Sequence, residues 1–114
     1  MRRNRSLERR IAKERMEILM QLAEEAFHGD RMLARRYVEL ARRIGMKYNL
    51  RFPRRWKRRF CRRCGAFLVP GANLRVRCRK MRVIFTCMEC GAVRRVPYAR
   101  EKLQKRLQTL HHQP

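Results

Sequence analysis

The chain has 114 residues, with 32 Lys and Arg against 9 Asp and Glu and a formal net charge of +23. That length allows one compact domain or two small modules, and a charge this lopsided is self-repelling unless a polyanion neutralises it. Nucleic acid is the leading class of partner. A bilayer span is excluded, since no apolar run is long enough, and the opening MRRNRSLERR has no signal-peptide pattern.

Arg outnumbers Lys by 26 to 6. Guanidinium groups pair bidentately with phosphate and stack on bases, so the bias favours RNA or DNA contact over generic charging. The cytoplasm is the expected location, with cysteines reduced or metal-bound. Residues 1–44 carry 12 basic and 7 acidic side chains, whereas residues 45–114 carry 20 basic and 2 acidic ones. The first part reads as protein-packing and the second as polyanion-binding.

In chain order, Ser6 can cap a first helix, with Glu8 in its opening turn. Leu7, Ile11, Ile18 and Leu22 line one side. Ala12, Met16, Leu19, Met20, Ala23, Ala26 and Phe27 continue around it, an apolar arc of about 220° against the ~100° of an ordinary surface helix. Gly29 suits a stop and Asp30 the next N-cap, followed by a helix from Arg31 to Ile44 that Gly45 ends. Its face of Leu33, Tyr37, Leu40 and Ile44 is narrower than the arc it meets. The remainder of the arc must be covered by the ribbon described below or, preferably, by a partner protein. Met16, Leu19, Met20, Ala23 and Phe27 are the candidates for that interface. Arg35–Glu39 and Glu39–Arg43 read as ordinary surface pairs.

Residues 51–64 read RFPRRWKRRFCRRC. If Pro53 opens a short helix, Phe52, Trp56 and Phe60 share one face and Arg54, Arg55, Lys57, Arg58 and Arg59 cover the rest. If the segment is extended, the aromatics can stack on unpaired bases. Phe52 and Phe60 are read as anchors onto a core, and Trp56 stays open between the two roles.

Cys61-Arg-Arg-Cys64-Gly65 and Cys87-Met-Glu-Cys90-Gly91 are matching knuckles separated by 22 residues. A two-residue spacer lets both sulfurs reach one ion, and the glycine permits the tight turn. Cys61, Cys64, Cys87 and Cys90 therefore form a closed four-thiolate site for one structural zinc, with no position left for catalytic water. Disulfides do not suit a cytosolic chain, a thiol redox motif would want a βαβ context, and an iron-thiolate carrier has no need of so cationic a surface. Cys78, in phase with Leu74 and Val76, is read as a small buried hydrophobe. His28 sits near a helix end, where it suits the dipole, while His111 and His112 could bind metal but, near the C-terminus, are read as plain solvated residues.

Between the knuckles LRVRCR alternates with period two, placing Arg75, Arg77 and Arg79 on one face. Arg82–Thr86 forms a second strand and Ala92–Val96 a third. The ribbon's core is small, so zinc supplies much of its folding free energy. The expected fold class is α+β: two antiparallel N-terminal helices (1–48), a basic aromatic linker (49–60), an antiparallel zinc ribbon (61–98) and a short C-terminal helical tail (99–114) with Leu103, Leu107 and Leu110 in phase. The RNA-binding candidates are Arg51, Arg54, Arg55, Lys57, Arg58, Arg59, Arg62, Arg75, Arg77, Arg79, Arg82, Arg94 and Arg95. No Ser/His/Asp set, open metal site or phosphate-cradling glycine loop is present. Glu89 and Glu101 are too few carboxylates for a two-metal nuclease in the basic half.

The helix pair, the lead-in RFPRRWKRRFCRRCG and the ribbon LRVRCRKMRVIFTCMECG with RRVPYARE together resemble the Rpr-two/Snm-one zinc-ribbon family of ribonuclease P proteins, its archaeal members in particular. The likeness runs from about residue 7 to 101, and its most specific part is Arg51-x-Pro53-x-x-x-Lys57-Arg58 joined to both knuckles. The resemblance implies zinc ligation by Cys61, Cys64, Cys87 and Cys90, and a non-catalytic role in removing the 5′ leader from precursor tRNA. It implies that the RNA subunit carries the chemistry with magnesium. It also implies a heterodimer with ribonuclease P protein component 1 through the N-terminal helices, among the other ribonuclease P proteins. The alternative is a ribosomal or transcription-associated zinc ribbon, which explains the charge and cysteines but not the lead-in.

Overall fold

The computed structural model describes residues 4–98. The chain divides into two compact units, Met1–Val69 and Pro70–Pro114. The helical tail expected over 99–114, with Leu103, Leu107 and Leu110, lies outside the described residues.

The first unit holds α1 (Arg5–Ala26) and α2 (Arg31–Lys47). Asn4 caps α1 in place of Ser6, its Oδ1 accepting from the Leu7 N–H at 3.0 Å. Asn serves as well as Ser at an N-cap, so the helix simply begins earlier. Asp30 caps α2 as expected, accepting from the Leu33 N–H at 3.1 Å. Gly45 does not end α2: the helix runs through it to Lys47, and Asn49 supplies the left-handed residue at φ 53°. The glycine is required for approach instead. A Cβ there would stand 3.1 Å from Met16 Cε and 3.2 Å from the Leu50 carbonyl oxygen. Arg9 Nη2 reaches the Asn49 carbonyl at 3.4 Å, so the start of α1 lies beside the end of α2 and the helices run antiparallel.

The core of this unit joins Met20 and Ala23 of α1 and Phe27 at its C-cap to Ala34, Val38 and Ala41 of α2 and to Trp56, Phe60 and Phe67. That packing corrects the expected partner interface. Met16, Met20, Ala23 and Phe27 are at most 2% exposed, and Leu19 packs partly buried against the same core. Their cover comes from within the chain, because the buried stripe of α2 is Ala34, Val38, Ala41 and Gly45, one residue round from the large side chains that set the expected face. Small residues there let the helices approach closely, and the linker aromatics close the rest. What α1 leaves exposed is Leu7, Ile11, Ile18 and Leu22, at 36–55%.

Pro53 opens a single helical turn, with its carbonyl accepting from the N–H groups of Trp56 at 2.9 Å and Lys57 at 3.0 Å. Trp56 is fully buried, which makes it a core anchor and not a platform for bases. Phe52 and Phe60 pair with ring centroids 4.6 Å apart.

The second unit holds β1 (Leu74–Arg79), β2 (Arg82–Cys87) and β3 (Val93–Pro97), an antiparallel sheet in the order β1-β2-β3. Arg75, Arg77 and Arg79 stand opposite Thr86, Ile84 and Arg82, and Ile84 stands opposite Arg95. Directly paired residues share a face, so Arg75, Arg77, Arg79, Arg82 and Arg95 lie together. The opposite face carries Leu74, Val76, Cys78, Val83, Phe85 and Val96. Cys78 is exposed, a correction to its expected burial: at its end of this face even Val76 is 43% exposed, and only Leu74 and Cys87 of the three strands are buried. The β1–β2 turn is made by Lys80 and Met81, both left-handed at φ 49° and 63°.

Candidate functional site: a four-cysteine centre and a basic surface

Each knuckle folds by the same local rule. The Cys61 N–H donates to the Ala66 carbonyl at 2.9 Å and the Gly65 N–H to the Cys61 carbonyl at 2.8 Å. The Cys87 N–H donates to Ala92 at 2.9 Å and the Gly91 N–H to Cys87 at 2.8 Å. Gly65 and Gly91 both sit at φ 78°, where a side chain would strain the turn. The sulfurs of Cys61, Cys64, Cys87 and Cys90 all lie within 4.8 Å of one another, with Cys61 and Cys87 buried. A tetrahedral zinc with Zn–S near 2.3 Å places its sulfurs about 3.8 Å apart, a separation that lies inside that limit. Four thiolates are a soft, closed donor set, and the chain is positioned to hold a metal here. His28 is exposed, and His111 and His112 lie outside the described residues.

The sheet's arginine face contains no carboxylate, because none of the three strands has an Asp or Glu. Arg75, Arg77, Arg79, Arg82 and Arg95 are exposed on it. Arg94 stands opposite Phe85, which puts it on the other face, half-buried and separated from that group. In the first unit Arg51, Arg54, Arg55, Lys57, Arg58 and Arg62 are exposed. Arg59 is committed to the fold: its Nε donates to the Leu68 carbonyl at 3.2 Å, its guanidinium lies 5.3 Å from the Phe67 ring centroid, and Glu24 is 3.9 Å away. Arg55 stacks over Trp56 at 4.6 Å.

Arg42 is a basic residue that the sequence reading passed over. It lies over Phe60 at 5.4 Å and its Nη2 donates to the Arg62 carbonyl at 3.4 Å, bringing α2 to the first knuckle. A signal for it exists in the sequence. Arg43 has Glu39 one turn back, and the two meet at 2.7 Å. Arg42 has Val38 and Met46 four residues to either side, and Glu39, three residues back, is engaged by Arg43, so Arg42 is the less committed cation of the two.

The family model described as the RNAse P Rpr2/Rpp21/SNM1 subunit domain matches residues 15–91, a span that takes in the second half of α1, all of α2, the lead-in and both knuckles. The chain belongs to this family. Ribonuclease P protein component 4 of Methanocaldococcus jannaschii is 54% identical over 106 residues, covering 90% of this chain and 83% of that one. Its namesake from Pyrococcus furiosus is 47% identical, covering 91% and 92%. A chain in the cryo-EM structure of archaeal ribonuclease P with mature tRNA superposes with a TM-score of 0.78 at 52% identity, covering 90% and 89%. The solved structure of Pfu Rpp21 superposes at 0.55 with 49% identity, covering 75% of this chain and 97% of that one. Membership of the ribonuclease P subunit family decides against the ribosomal or transcriptional zinc ribbon. Among the described residues no helix is long and apolar enough to cross a membrane.

Proposed function

We propose that this chain is a non-catalytic, RNA-binding protein subunit of ribonuclease P that helps the RNA subunit remove the 5′ leader from precursor tRNA in the cytoplasm. One observation carries the RNA contact: five arginines in register on one sheet face, with no carboxylate among the strands. Regularly spaced, unneutralised guanidinium groups suit phosphates and the shape of folded RNA, which position a protein without reading sequence. Exposed Arg51, Arg54, Arg55, Lys57, Arg58 and Arg62 extend that chemistry along the lead-in. The four thiolates hold one structural zinc. When bound, it fixes both knuckle turns, while magnesium serves the RNA and is not held by this chain. The exposed stripe Leu7, Ile11, Ile18 and Leu22 docks ribonuclease P protein component 1, and other protein subunits complete the assembly.

The test is reconstitution by omission. Ribonuclease P RNA is assembled with its full protein set, lacking only this chain, and 5′-leader cleavage is followed at limiting magnesium. A loss of cleavage that returns when the chain is added with component 1 is expected. Equal cleavage with and without the chain, at every magnesium concentration, would overturn the assignment.

A further inference from the structure

A cleft opens where α2 meets the lead-in, with a cavity volume of about 410 Å³. Arg42, Arg51, Phe52, Lys57, Phe60 and Arg62 form its working surface, and no Asp or Glu lines it. The volume falls in the ~300–1,000 Å³ range of small-ligand clefts. Its chemistry has two parts. Arg51, Lys57 and Arg62 are exposed cations that suit a phosphate. Phe52, paired with Phe60 at 4.6 Å, and Arg42, lying over Phe60 at 5.4 Å and hydrogen-bonded to the Arg62 carbonyl, offer flat surfaces already fixed in place.

We propose that this cleft takes one unpaired RNA nucleotide, its base stacked against Arg42 and Phe52 and its phosphate held by Arg51, Lys57 and Arg62. The proposal rests on the RNA-binding reading above and adds a second mode to it. Phosphates of a continuous helix need only exposed cations, as on the sheet. A recessed floor of ring and guanidinium planes serves a base that has left its stack, because every base has a π-face. An acidic peptide would use the cations and leave those planes idle.

The test uses the full zinc-loaded chain and fluorescence anisotropy across a salt series. The probes are a single-stranded RNA pentanucleotide, a blunt RNA duplex and a hexaglutamate peptide. Arg42→Lys keeps the charge and loses the plane, Phe52→Leu keeps the bulk and loses the ring, and Arg77→Ala probes the sheet. Circular dichroism and zinc content confirm the fold of each. Arg42→Lys and Phe52→Leu should each weaken the pentanucleotide about tenfold at an unchanged salt slope, while duplex affinity stays within about twofold. Arg77→Ala should weaken both RNA probes and lower the slope. Pentanucleotide affinity unchanged in both cleft variants, or equal losses on both RNA probes, would overturn the proposal. So would hexaglutamate displacing the pentanucleotide at comparable affinity. A failure of the RNA-binding reading itself looks different: the unaltered protein would bind neither RNA probe.

Discussion

A methyl group at Gly45 would meet Met16 Cε at 3.1 Å and the Leu50 carbonyl oxygen at 3.2 Å. The methionine tip can swing away, but the carbonyl is backbone, held by the Leu50 N–H donating to the Gly45 carbonyl at 2.8 Å. Gly to Ala inside a helix ordinarily gains up to about 1 kcal/mol. Here we expect Gly45→Ala to lose about 1–2 kcal/mol through overpacking. Thermal melting reads the sign directly, and a raised midpoint would remove close helix approach as the reason for the glycine. Trp56 poses the converse case. Its Nε1–H is buried and finds no hydrogen-bond partner among the described residues. Trp56→Phe deletes that donor and keeps most of the ring, so a cost under about 1.5 kcal/mol is expected, whereas Trp56→Ala should cost about 3–5 kcal/mol. Urea unfolding separates the two. Neither role was legible at its own position. Gly45 looks like a helix stop because its reason lies on another helix, and Trp56 at i, i+4 spacing with Phe52 and Phe60 fits a core anchor and a base platform equally well. Cys78 misled for a related reason: period two fixes which face a residue shares, and says nothing of whether that face is covered.

At the scale of elements, the knuckles and strands were the most legible parts of the chain. Metal ligation demands a fixed spacing and a glycine turn, and an antiparallel ribbon demands alternation, so chemistry leaves both patterns in the sequence. The buried stripe of α2 was less legible. Large apolar side chains draw the eye to Leu33, Tyr37, Leu40 and Ile44, while the face that packs is marked by Ala34, Val38, Ala41 and Gly45. Register, too, is invisible until the strands pair, and it separates neighbours: Arg95 joins the arginine face and Arg94 does not. The expectation follows that Arg95→Ala lowers the salt dependence of RNA binding by about one unit of slope, and that Arg94→Ala leaves the slope unchanged. Equal slopes for the two variants would count against the sheet face as the phosphate contact. The metal has its own signature. Leu74 and Cys87 are the only buried residues of the three strands, whereas α1, α2 and the linker aromatics share a core of their own. Verified removal of zinc should therefore abolish the dispersed amide signals of β1, β2 and β3 in an NMR spectrum and spare most of the helical circular dichroism. A metal-free chain with an unchanged spectrum would show that the thiolates do not support the fold.

At the scale of the whole molecule, the charge imbalance and the apolar stripe of α1 pull toward two kinds of partner. Ile11 and Ile18 are 42% and 55% exposed on that stripe. Changing both to Asp should abolish the complex with component 1 in analytical ultracentrifugation while leaving zinc content and RNA affinity intact, because neither residue contributes to the core or the cations. Persistence of the complex would move the interface elsewhere. The Lys80–Met81 turn adds a consequence that reaches beyond its own hairpin. Two left-handed residues without a glycine cost about 1–2 kcal/mol each. Arg79 stands directly across from Arg82, a like-charge pair that opposes the same hairpin. An anion bridging Arg79 and Arg82 would remove the repulsive part of that cost and leave the backbone part, so anion binding and the stability of the hairpin tip are coupled through those two arginines.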